Sequence, residues 1–271
     1  MGAGSSIVGG GFNLQLTTGD ASNLETVGGV ANLTLSSSTG ANTYTLTETI
    51  TVTGNAVTGS DADLSLGAMD LRANGDIQLG ASSGVSFTGN GALRADQDAN
   101  GSGAITMNAT ATIDGGNNDV TLAAGAASTL YAISNVGQLT IASTTGTPAF
   151  TANAAYNVTT LALTGGAILD INGNALTATT LDNAGTLRLQ GGETVTITTF
   201  DTNSGTVDYD GGGSYANLAA GDNYFNLTFS GAGDWTQDAA LDVNGNLTVS
   251  SGTLASAGNN INLAGNWNTT G

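Results

Sequence analysis

Five apolar residues stand twenty apart along the second half of the chain: Leu187, Val207, Leu227, Leu247 and Trp267. Two residues further on, Leu189, Tyr209, Phe229 and Val249 repeat the beat, and the positions between are polar: Arg188, Asp208, Thr228, Thr248 and Asn268. Apolar, polar, apolar is the pattern of a half-buried strand, because successive side chains of a strand point to opposite faces. Two residues past each pair lies a corner position: Gly191, Gly211, Gly231, Ser251 and Gly271. A second file, Val195, Tyr215, Trp235 and Ala255, keeps the same period. Gly185, Gly205, Gly245 and Gly265 mark another corner, with Asn183, Asn203 and Asn223 two residues before the matching positions of three coils. Gly and Asn tolerate the left-handed backbone of tight bends, and stacked Asn side chains can bond along identical bends.

The first half carries a looser version. Leu64/Leu66, Val85/Phe87 and Ile105/Met107 form one expected file, and Leu71, Leu93, Ile113 and Ile133 a second. Ile77/Leu79, Val120/Leu122 and Leu139/Ile141 form a third, interrupted where ADQDANGSG (95–103) replaces a strand. Before residue 60 the pairs Leu14/Leu16 and Leu33/Leu35 show weaker register.

A twenty-residue period admits leucine-rich repeats, propellers and β-solenoids. The segments between apolar pairs are rich in Thr, Asn and Gly and lack a 3.6-residue pattern, which removes the leucine-rich repeat. Propeller blades need about 40 residues. The remaining architecture is an all-β parallel β-helix of about 20 residues per coil, each coil offering the same face to the next. The expected organisation is less regular coils over 1–60, a β-helix with a loop insertion over 61–142, and regular coils over 143–271, continuous with those before. The chain stops at Gly271 on the corner of a fresh strand, so a segment of a longer repetitive protein is expected.

Two stretches resemble a known family. GDIQLGASSGVSFTGNGALRADQDANGSGAITMNATATIDGGNNDVTLAAG (75–125) resembles the repeats of filamentous-haemagglutinin-like bacterial exoproteins. NLTFSGAGDWTQDAALDVNGNLTVSSGTLASAGNNINLAGNWNTTG (226–271) is similar to the strand–turn repeats of giant bacterial surface adhesins. Together they cover a little over a third of the chain. The resemblance implies a right-handed parallel β-helix, export to the bacterial cell surface or beyond, and a stalk or adhesive role.

Composition narrows the chemistry. The chain has no histidine, cysteine or lysine, and three arginines (Arg72, Arg94, Arg188) against 21 acidic residues give a net charge of −18. Ser–His and Cys–His nucleophile pairs, Schiff bases and His- or Cys-ligated zinc are excluded. Nucleic acid is not an expected partner, since phosphate neutralisation needs clustered Lys and Arg, and no apolar run reaches the length of a membrane-spanning helix. The sharpest candidate site is the loop: Asp96, Asp98 and Asn100 alternate as at the start of a calcium loop, with Gly101 at the turn. Met107 stands where an EF-hand would place its bidentate Glu. No cofactor is expected apart from weakly held calcium. GGNNDVTL (115–122) reads as a turn. Asp208 and Asp210 flank inward Tyr209 and would lie about 6.5–7 Å apart on one strand, near the spacing of an inverting glycosidase. Arg188, one coil below, would pair with Asp208.

The sequence therefore predicts a non-enzymatic stalk or scaffold segment of a large bacterial surface or secreted protein. Its partners would be the neighbouring coils of a longer parent, with end-to-end self-association through open coils. The alternatives are an adhesive module for glycan or surface protein, and a polysaccharide-acting enzyme centred on Asp208 and Asp210.

Overall fold

A computed structural model describes residues 6–269. Every regular element among them is a β-strand and every pairing is parallel, so the chain is a β-solenoid of about thirteen turns. One sheet of thirteen strands takes a strand from each turn, from Leu14–Thr18 to Trp267–Thr269. At about 4.8 Å per strand this sheet is roughly 60 Å long. A twelve-stranded sheet forms the neighbouring walls from Ser22–Leu24 to Val195–Thr199. Beyond it, two three-stranded sheets take over around Ser214–Tyr215 and Asn223–Tyr224.

The register bears out the second-half file: Leu187, Val207, Leu227, Leu247 and Trp267 pair in succession. In the first half three readings change. Ile105 pairs with Ile77, twenty-eight residues earlier, and Met107 with Leu79, so they leave the file of Val85. Val85 instead pairs with Ile113, and Leu93 with Leu122. The reason is the insertion: 95–103 lies between the strands Gly91–Arg94 and Ile105–Met107 and lengthens that coil, so positions counted in twenties across it do not pair. Leu14 and Leu16 pair directly with Leu33 and Leu35, nineteen residues on, and Leu33 pairs with Ala56, twenty-three on, so the ladder is continuous through the first coils at an uneven advance.

Two further corrections concern the second half. Val195 pairs with Leu176 at the end of the twelve-stranded sheet, whereas Tyr215 opens a new one with Trp235. Trp235 then pairs with Leu254 rather than Ala255. Residues 115–122 are not a turn: they lie within one bent strand, Thr112–Ala124, where the pairing slips around Asn118. From there to residue 199 two walls of each coil are made by single bent strands, such as Ala132–Ser143 and Tyr156–Thr164.

The core is the stack of inward files, aliphatic in most coils and aromatic near the C-terminal end. Tyr209 stacks on Phe229 (5.5 Å between centroids), Phe229 meets Trp235 at 5.1 Å in a tilted contact, and Tyr215 stacks on Trp235 at 5.6 Å. Tyr44, Tyr156 and Tyr224 are also buried, and the Tyr209 and Tyr224 hydroxyls bond to each other at 3.0 Å. Trp267 occupies its inward file but is 52 % exposed, because it lies on the last described strand.

Gly211 and Gly231 are required by close approach rather than by positive φ. A Cβ at either would lie 2.2 Å from the preceding coil's backbone oxygen, of Gln190 and Asp210 respectively.

Asparagine stacking occurs at the entry to the long sheet rather than at the expected corner. The side-chain oxygen of Asn32 accepts the N–H of Asn55, that of Asn55 accepts Asp76 N–H, and Asp76 in turn accepts Ala104 N–H. The same relay links Asn226 to Asn246 and Asn246 to Asn266. Asn183 acts differently: its amide donates to Thr206 O, and its side-chain oxygen accepts Gly185 N–H.

Candidate functional site

The insertion brings its three predicted residues to different places. Asp96 is fully buried, with φ of 56°. One carboxylate oxygen accepts the N–H groups of Gly101 (2.9 Å) and Ser102 (3.3 Å); the other accepts the Thr144 hydroxyl at 2.6 Å, two coils further on. The latter oxygen fills the space that a Cβ on Gly125 would need, 2.0 Å away. Asp98 and Asn100 remain at the surface, where the Asn100 amide donates to Asp98 at 2.9 Å and its oxygen accepts Ser102 N–H. The alternation Asp-x-Asp-x-Asn thus closes the loop on itself. Asp96 satisfies amides that the departing backbone would otherwise leave unpaired. Calcium would have to compete with these bonds. Among the described residues no three His, Cys, Asp or Glu side chains are grouped to hold a metal ion.

The second candidate is built by register. Asp170, Arg188 and Asp208 are directly paired on three successive strands of the long sheet, all on its outer face. Arg188 Nε lies 3.1 Å from Asp208 Oδ2 and 3.7 Å from Asp210 Oδ2. The pairing of Arg188 with Asp208 expected from the twenty-residue offset is therefore present, and the same guanidinium also reaches Asp210. Asp208 is nearly buried, and its other oxygen, Oδ1, has no hydrogen-bond partner among the described residues. Glu193 folds beneath the neighbouring corner, its two oxygens accepting the N–H groups of Gln190 and Gly191.

These charges bear most heavily on Asp210. Burial first, then the negative charge of Asp170, raise its carboxyl to about 6, Arg188 opposing and Asp208 and Glu193 adding to the rise. The site thus couples a carboxyl that titrates in mild acid to an arginine–aspartate pair. Its geometry places one guanidinium nitrogen within reach of both carboxylates.

The other two arginines form a separate cluster on the second wall. Asp70 Oδ2 accepts Arg72 at 2.9 Å and Arg94, one coil on, at 3.1 Å. Its only mark in the sequence is Asp-x-Arg at 70–72 with a second Arg twenty-two residues later. The chain matches no family model, no curated protein and no solved structure.

Proposed function

We propose that this chain is a structural spacer: a rigid, acidic β-solenoid segment of a large bacterial surface or secreted protein that holds other parts of its parent away from the cell. The observation that supports this reading most directly is the continuous thirteen-stranded parallel ladder, in which every coil is hydrogen-bonded to the next and stacked on a shared apolar core. Such a solenoid behaves as a one-dimensional array of neighbour contacts. Load along its axis is shared by several strands per coil. The neighbouring coils of the parent are its natural partners, and open strand edges would also permit stacking of copies end to end. The resemblance of 75–125 and 226–271 to exported repeat proteins supports an extracellular or cell-surface location.

The absence of cysteine makes the test clean. Dyes attached through Gln15→Cys and Asn268→Cys, at opposite ends of the long sheet, should report a separation of roughly 60 Å by energy transfer. Under tension in an optical trap that separation should hold constant until it is lost abruptly. Gradual lengthening under small loads would overturn the spacer reading.

A further inference from the structure

We infer that the bent-strand region carries a groove that binds a neutral oligosaccharide, a role beyond that of a spacer. The groove has a volume of about 510 Å³ and crosses four successive coils on the outer surface. Its polar lining includes Asn117, Ser134, Asn135, Asn157, Thr159 and Thr179, all exposed, and no ionisable residue contributes to its wall. The nearest acid fixed by a hydrogen bond to its wall is Asp114, held by Asn135.

Three observations point to a hydroxyl-rich ligand. First, the polar groups are free. Among the described residues the side chains of Asn117, Ser134, Asn157, Thr159 and Thr179 have no hydrogen-bond partner, whereas Asn32, Asn55, Asn226 and Asn246 are spent on the next coil's backbone. Asn135 differs, its amide donating to Asp114 at 3.1 Å. Second, the floor is apolar. Ile133, Val136 and Val158 line the groove, and at 5 % each they are the most exposed members of the buried hydrophobic core. Amides and hydroxyls around a narrow aliphatic floor match a sugar ring, which offers hydroxyls at its rim and C–H groups on its face. Third, the donors repeat with the coils. Ser134 and Asn135, Asn157 and Thr159, and Thr179 line it on three adjacent strands. Four coils span roughly 14 Å, room for a short run of sugar units along the axis.

The backbone at the mouth is specialised too. Asn117 and Asn135, on neighbouring coils, both adopt the left-handed region at φ of 67° and 52°. Asn is among the few residues that accept it readily. A peptide ligand is disfavoured because the strands here are paired on both sides and offer no free edge for strand addition. A polyanion finds no cation in the groove.

The test is a titration of the ¹⁵N-labelled full chain with cellohexaose, maltohexaose, chitohexaose and, as the charged probe, hexagalacturonate. At least one neutral hexasaccharide should shift the side-chain amides of Asn117 and Asn157 and the backbone amides of 133–136 and 157–159, saturably. The double variant Asn157→Ala/Thr179→Val should weaken that binding roughly tenfold, the effect of about 1.4 kcal/mol, while its thermal midpoint stays that of the parent. No shift at these resonances with any neutral probe, shifts with hexagalacturonate alone, or undiminished binding by the folded variant would each overturn the proposal. The dye separation under load is independent of sugar, so the spacer reading stands or fails separately.

Discussion

Between Leu187 and Trp267 each coil of the long sheet advances by twenty residues; between Ile77 and Ile105 it advances by twenty-eight, and the ladder continues unbroken. The two regions solve one problem by different means. In the regular coils the corners are tight, and cohesion comes from the interior, where Tyr209, Phe229, Trp235 and Tyr215 make successive ring contacts. In the inserted coil the extra chain lies outside the core, and its cohesion comes from one buried carboxylate, Asp96, bonded to loop amides and to Thr144. What must repeat is therefore the strand face. Corner length is free, provided that the corner supplies partners for its own polar backbone.

The largest separation between the regions should follow from Trp235→Ala. Removing a fully buried indole from the aromatic stack should cost about 3–5 kcal/mol, read as a fall in the denaturant midpoint. A loss below about 1 kcal/mol would mean that the core there is loosely packed. Asp96→Ala should cost about 1–3 kcal/mol, the penalty for buried donors left without an acceptor. Amide hydrogen exchange should place that loss around 96–103 and Thr144 and leave the regular coils protected.

Asp210 gives a smaller effect of opposite sign. Its carboxyl is raised from 3.8 to about 6, so the folded chain holds this proton more tightly than the unfolded chain does. Its contribution is then greatest in acid and is lost as pH rises from about 4 through about 6. Asp210→Asn should flatten that segment of the stability–pH curve. It should also raise stability at pH 7 by about 1 kcal/mol, once solvent screening of a partly exposed group is allowed for. An unchanged pH profile would show that Arg188 already compensates the charge. Smallest of all, Asp98→Ser should move stability by no more than about 0.5 kcal/mol, the range for surface substitutions. Chelation should leave the melting temperature unchanged as well. A calcium-dependent rise in melting temperature that vanishes in Asp98→Ser would return the loop to ion binding.

Much of the architecture was legible because inward residues are constrained at every coil: Leu187 to Trp267 could be placed by counting alone. Arg188 and Asp208 were legible for the same reason, since residues one period apart on one face must be neighbours. Counting failed at Ile105, where extra residues in a corner leave no mark on the strands they separate. It failed again at Val195, where a wall ends and another sheet begins without any change in apolar pattern. Asp96 showed its residue type but not its direction, and an aspartate turned inward to hold a loop looks in sequence like one offered to a cation. The groove was hidden for a different reason. Outward Asn and Thr are what any solenoid surface displays, and which of them meet at one groove is decided by the register of the coils, not by residue type.

The two tryptophans stand in contrasting surroundings on different coils: Trp235 has no exposure, and Trp267 is half exposed on the last described strand. Their emission should therefore differ in colour, blue for the indole enclosed by rings and red for the one at the rim. Fraying of the final turn would alter the red component first and leave the blue one until the aromatic stack itself opens. The molecule carries its own pair of optical reporters, one for the end and one for the interior, with no label required.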